Sequence, residues 1–199
     1  MYGLPHTTEI RKQLPKKAIY AKFELKPAQR EGFDADVSRI DIVAVVSPTT
    51  IPAIAAGENI REFYVLTVQL KKKDYDEKNI AMLSKLIPQN ILFALQYEEK
   101  TQLAVYHTKL IKSEWKQTEA VQIHLSGLNL DTVWENIIKD IGEIEVQEGK
   151  TLTEQIQDDE LLAKVKKQIA ELEKKMAREN QPHRKRELFE QIKKLKFLL

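Results

Sequence analysis

The order of segments along this chain predicts an α+β protein. It reads as a mixed or antiparallel sheet of about five strands with helices packed on it, followed by a coiled-coil-like helical hairpin at the C-terminus. Three observations predict this. Two β-branched and aromatic runs, Arg39–Ser47 and Ile60–Leu70, read as strands. Helix-spaced apolar stretches with polar caps fall before, between and after the strand candidates. The last forty-odd residues carry two apolar seams at helical spacing, joined by a polar break that contains Pro182.

Taken in order, Thr7-Thr8-Glu9 has the composition of a helix cap, and the segment through Leu14 is expected to be a short helix ended by Pro15. Lys16–Phe23 supplies another turn or two. Pro27 suits the first turn of a helix over Ala28–Val37, with Phe33 and Val37 on its buried side. The strand Arg39–Ser47 follows, with Asp41 as its one acid, and Pro48 ends it. Ile60–Leu70 is apolar enough to be central in a sheet. Asp74 or Asp76 can cap a helix whose face is Ile80, Leu83, Leu86 and Ile87, stopped by Pro88. Ile91–Tyr97 and Gln102–Thr108 form the next pair of strands across Glu98-Glu99-Lys100. Ala120–Leu125 is the fifth candidate. Asn129 or Asp131 caps a helix bearing Val133, Trp134, Ile137, Ile138 and Ile141. The expected organisation is a core over residues 1–141, a linker over 142–153 and the hairpin over 154–199.

In the hairpin, Leu162, Val165, Ile169, Leu172 and Met176 form the first seam, and Leu188, Ile192, Leu195 and Leu199 the second. Continuing the first register past Met176 meets Glu179, His183, Arg186 and Glu190, all polar, so one straight helix is excluded. Phe189, Phe197 and Leu198 lie beside the second seam and widen its apolar face beyond what one partner helix covers.

Composition removes several classes of function. With no cysteine, disulfides, thiolate catalysis and cysteine metal sites are excluded. No stretch approaches the ~20 apolar residues of a membrane span. The opening Met1–His6 has no basic-then-apolar leader, so a cytoplasmic location is expected. Net charge is only +2, although residues 155–199 hold twelve Lys/Arg against eight Asp/Glu.

Catalytic motifs are incomplete. Gly149-Lys150-Thr151 resembles the tail of a phosphate loop, but Ile144 stands where the first glycine belongs. It reads as a turn before a Thr-capped helix. His6, His107, His124 and His183 lie in separate segments without ligand spacing, and no cofactor or metal is expected. A metal-dependent nuclease core would place an acid on one strand and a D/E-x-K pair on the next. Asp41 and Lys71 fit that order as weak catalytic candidates. Gln69, however, stands where the second carboxylate belongs, and a neutral amide holds Mg²⁺ poorly. Lys71, Lys72 and Lys73, with Arg184, Lys185 and Arg186, are the candidate phosphate contacts. In the hairpin, glutamates interleave with the cations and no aromatic residues do, which favours a solvated or protein-facing surface over a stacking platform.

Several stretches in fixed order resemble the bacterial family known as domain of unknown function 4391. They are Gly3-Leu4-Pro5, Thr8-Glu9-Ile10, Ser47-Pro48-Thr49-Thr50, Ala56-Gly57-Glu58, Leu70-Lys71 and Ile87-Pro88 with Leu92-Phe93. Ser113-Glu114-Trp115, Gly127-Leu128-Asn129-Leu130-Asp131 and Glu135-Asn136 complete the set. The resemblance implies no catalytic residues. It implies an association with restriction and anti-phage gene clusters, beside helicases and DNA methyltransferases. The expected function is therefore a non-catalytic accessory or adaptor subunit of a DNA-modification or defence complex. Its protein partner, a helicase, a methyltransferase or a second copy, would be held by Leu188, Phe189, Ile192, Leu195, Phe197 and Leu198. The alternative is a degenerate nuclease-like subunit that contacts DNA.

Overall fold

A computed structural model describes residues 1–197. The chain divides into two compact units, Met1–Glu145 and Val146–Leu199. The first is built on one mixed sheet with strands β1 (Glu9–Gln13), β2 (Val37–Val46), β3 (Phe63–Leu70), β4 (Asn90–Tyr97), β5 (Lys100–Tyr106), β6 (Leu110–Lys112) and β7 (Lys116–Gln117). Their spatial order is β1-β2-β3-β4-β5-β6, with β7 also pairing β5. All neighbours are antiparallel except β3 and β4. A parallel pair needs a crossover, and α3 (Glu77–Leu83) supplies it. The predicted α+β architecture holds, with two more strands than the sequence predicts.

Local chemistry sets the helices. α1 (Lys16–Lys22) starts after Pro15, and Pro27 occupies the first turn of α2 (Pro27–Asp36). The Asp76 carboxylate accepts from Lys78 N at 2.9 Å to cap α3, and Asn129 Oδ1 accepts from Thr132 N at 2.9 Å to cap α4 (Leu130–Gly142).

Pairing rows alternate between the two sheet faces. One face carries Ile40, Leu66, Val68, Phe93 and Leu95, packed with Ile19, Phe33, Ile80 and Leu83 from the three preceding helices. On the other face, Phe63 meets Trp134 of α4 at 5.1 Å between ring centroids. Leu92 and Leu103 share that side with Ile137 and Ile141.

Two elements differ from expectation. The predicted helix through Leu14 is a 3-10 turn at His6–Thr8 followed by strand β1. β1 pairs with β2, Gln13 lying opposite Asp41, and Leu14 N donates to Ile40 O at 2.9 Å. A five-residue segment gains more from an open sheet edge than from one isolated helical turn. The predicted strand Ala120–Leu125 joins no ladder. It runs extended after a 3-10 turn at Thr118–Ala120, tied by Ile123 N to Tyr2 O at 2.9 Å. The strands the sequence hid, β6 and β7, have three and two residues, too few to show a period.

The second unit contains α5 (Leu152–Arg178) and α6 (Pro182–Lys196), which pack together. Thr151 and Glu154 form a reciprocal capping box at the start of α5. The chain breaks at Glu179–Gln181, where the Glu179 carboxylate accepts from Asn180 N and Gln181 N at 2.9 Å each. The polar break thus separates two helices, as the register of the seams requires. Among the described residues no helix is long and apolar enough to cross a membrane.

Candidate functional site

The α4-covered face of the sheet is not covered along its whole length. Towards β1 and β2 it opens into a hollow of about 660 Å³ lined by Glu9, Arg11, Gln13, Arg39, Asp41, Thr67 and Gln96. Strand register explains this composition. Gln13, Asp41 and Thr67 stand in one cross-strand row, and Arg39, Gln69 and Gln96 in the next. Polar residues at alternate positions of four strands thereby collect on one face.

Asp41 lies in this hollow, but both its oxygens are occupied. Arg39 donates to them from Nε at 2.6 Å and from Nη2 at 2.8 Å, a bidentate pair that raises the guanidinium's affinity for its proton. The other carboxylate, Glu9, hydrogen-bonds the Met1 ammonium at 2.9 Å and His6 Nδ1 at 3.2 Å. These donors, the ammonium first, hold Glu9 below the usual carboxylate range. Among the described residues no group of three His, Asp or Glu side chains is arranged to hold a metal ion. Deeper in the sheet, Tyr2 Oη accepts from Gln96 Nε2 at 2.8 Å and lies 3.3 Å from Thr67 Oγ1. Burial pushes the pKa of this phenol upward, against the opposing hydrogen bonds with Thr67 and Gln96. The hollow can bind a polar group by hydrogen bonds. It has no uncommitted pair of carboxylates with which to activate water.

Lys71, Lys72 and Lys73 follow β3 in an exposed turn. Gln69 sits one row from Asp41, and Lys71 N donates to Asp36 O at 2.8 Å. Lys72 has a structural partner: its Nζ lies 2.8 Å from the buried Asp36 carboxylate. Burial pushes the Asp36 carboxyl up. Lys72, the Asp76 N–H and the Asn79 amide outweigh that and hold it below the usual range. Of the three lysines, Lys71 and Lys73 therefore remain for a ligand.

The hairpin residues separate into two sets. Ile192 is buried and Leu188 and Leu195 are half-buried, matching buried Ile169 and half-buried Leu172 and Met176 on α5. Phe189 is 53% exposed and Phe197 91% exposed. Leu198 lies outside the described residues. Arg184, Lys185 and Arg186 are all exposed in the first turns of α6.

His6 and His183 are exposed at opposite ends of the chain, each beside a glutamate. His107 follows β5, and His124 lies by a separate hollow beside α4.

Two acids organise the first unit. Sequence reasoning missed Asp36 and offered Asp131 only as a helix cap. The Asp131 carboxylate accepts from the backbone N–H groups of Glu58 (2.8 Å), Asn59 (3.2 Å) and Ile60 (2.8 Å). Burial opposes the charge of Asp131, and the three N–H donors overcome it, so its carboxyl sits below the usual range. Beside this clamp, Ala55 N donates to Leu128 O and Leu130 N to Ala55 O, both at 3.0 Å. The Ala56-Gly57-Glu58 and Asn129-Leu130-Asp131 stretches are thus two halves of one joint.

The sequence profile of the family described as domain of unknown function (DUF4391) matches residues 2–199. No curated protein and no solved structure matches the chain. The match spans both units and every stretch on which the resemblance rests, so this chain belongs to the domain of unknown function (DUF4391) family.

Proposed function

We propose that this chain is a non-catalytic accessory subunit, an adaptor in a bacterial DNA-modification or anti-phage defence assembly. In this reading it holds a protein partner on the outer apolar face of its hairpin. The observation behind it is the exposure of Phe189 and Phe197 on α6, although Leu188, Ile192 and Leu195 of the same helix face α5. A large aromatic side chain in water forgoes about 1.5–3 kcal/mol of burial, which a partner surface recovers. The partner fits the class of a helicase or DNA methyltransferase, or is a second copy of this chain.

The test is co-purification from native cells together with mass measurement in solution. Phe189→Asp with Phe197→Asp is expected to release the partner while circular dichroism stays unchanged. Deleting residues 155–199 is expected to do the same with the sheet domain still folded. A truncated protein that still co-purifies with its partners sinks the reading.

A second reading is a degenerate nuclease-like subunit that touches DNA through Lys71 and Lys73. It is favoured by the crossover through α3 between parallel β3 and β4, with Asp41 one strand from Gln69-Leu70-Lys71. A DNA cleavage assay with Mg²⁺ or Mn²⁺, comparing wild type with Asp41→Ala and Lys71→Ala, tests for residual chemistry, and DNA binding lost in Lys71→Ala with Lys73→Ala supports contact there. A wild type that neither cleaves nor binds DNA removes this reading.

A further inference from the structure

Charge is segregated along the hairpin. Residues 152–173 hold three lysines against six acids, whereas residues 174–196 hold nine Lys/Arg against only Glu179, Glu187 and Glu190. The cations concentrate where the chain turns. Lys174, Lys175 and Arg178 end α5, and Arg184, Lys185 and Arg186 begin α6.

Two of these three acids already have partners. Glu179 accepts from two backbone N–H groups, and Glu187 lies 3.5 Å from His183 Nδ1. Elsewhere in this unit three lysines are neutralised, Lys150 by Asp158, Lys164 by Glu160 and Lys196 by Glu173, at 2.7–2.8 Å, whereas Lys166, Lys167, Lys193 and Lys194 form no such pair among the described residues. Among the described residues, none of the six tip side chains forms a hydrogen bond or an ion pair, and all six are exposed. Arg184 acts on Glu179 only through space. Between the helices, Lys175, Arg178 and Arg184 line a hollow of about 450 Å³ together with Glu179, Glu187, Leu188 and Gln191. Six unpaired cations at one end of a helical pair repel one another unless a polyanion lies across them.

We propose that the hairpin tip binds the phosphate backbone of duplex nucleic acid, without reading its sequence. No Phe, Tyr or Trp lies between Lys174 and Arg186 to form a stacking platform for unpaired bases, so a duplex fits better than a single strand. Contacts made by flexible cations to phosphates position a protein and carry no base preference. Phe189 lies one helical turn from Lys185 and Arg186 on α6, so this proposal and the adaptor reading are told apart by substituting the cations and the phenylalanines separately.

The experiment uses the full chain and a fluorescent DNA duplex of arbitrary sequence, with anisotropy followed against salt. About four phosphate contacts predict affinity falling roughly a hundredfold between 50 and 200 mM salt. Arg178→Glu with Arg184→Glu and Arg186→Glu is expected to lose at least about tenfold in affinity at low salt and to flatten the salt slope by about three. A charge-matched control, Lys17→Glu with Lys85→Glu and Lys109→Glu, is expected to keep both. Three results overturn the proposal. One is no duplex binding by the wild type at low salt. Another is equal loss in the control, which assigns binding to net charge alone. The third is displacement of the duplex by polyglutamate at matched charge concentration, which assigns the tip to acidic proteins.

Discussion

Two residues show how single positions hold the first unit together. Gly57 is needed for space, since a Cβ there would lie 2.2 Å from Asp131 Oδ1 and 2.8 Å from Asp131 N. Gly57→Ala is expected to open the Asp131 clamp and lower stability by about 1–3 kcal/mol in chemical denaturation. Loss of no more than a few tenths would show that the loop yields freely. Asp36 is needed for charge. Its side chain is almost fully buried and receives Lys72, Asp76 N and Asn79 Nδ2. Its folded carboxyl lies below the unfolded value, so its stabilisation is complete above about pH 4, the unfolded value, and is lost as pH falls through the lower folded one. Asp36→Asn turns an amide towards donors and leaves Lys72 unpaired, at a cost of about 1–3 kcal/mol at neutral pH. The stability gap between variant and wild type is expected to narrow below about pH 4. A gap that stays constant down to pH 2 would place its origin in packing, not in charge.

At the scale of elements, the hairpin was the most legible part of the sequence. Seam positions Ile169 and Ile192 are the buried ones, and the break falls at Glu179–Gln181. Helical period and Pro182 suffice for this because both seams are local. Ile192→Ala is expected to remove about 2 kcal/mol from the contact between α5 and α6. Hydrogen exchange would show it as lost protection over 182–196 with β3 and β4 unchanged. Unchanged protection in α6 would mean the seam does not hold the helix. β1 was less legible. Its polar alternation and nearby proline match a capped helix as well as a strand, and only the open edge of β2 decides between them. Leu161, 62% exposed on α5, was not part of either seam and remains outside the packed face.

For the molecule as a whole, the α+β class follows from the order of periodic segments, while the strand order does not. A parallel β3–β4 pair inside an otherwise antiparallel sheet depends on the route taken by α3. The candidate site was legible only in part. Asp41 and Gln69 were visible as residues on successive strands. Arg39 as the bidentate partner of Asp41 lies two positions away on the same strand, where any arginine would look solvent-facing. Gln13, Thr67 and Gln96 join the same hollow from strands far apart in sequence. The Asp131 clamp spans more than seventy positions, so neither half announces the other.

The sequence by itself determined the fold class, the membership in its family, the cap at Thr151 and the two helices of the hairpin, and it narrowed two other caps to Asp74 or Asp76 and to Asn129 or Asp131. Each rests on periodicity or on chemistry within a few residues. Tertiary structure alone decided which polar residues share a face, which acids are neutralised and which cations are left without partners. Those outcomes depend on strand register and helix packing between distant segments, and they separate Lys72, tied to Asp36, from the unpaired basic tip of the hairpin.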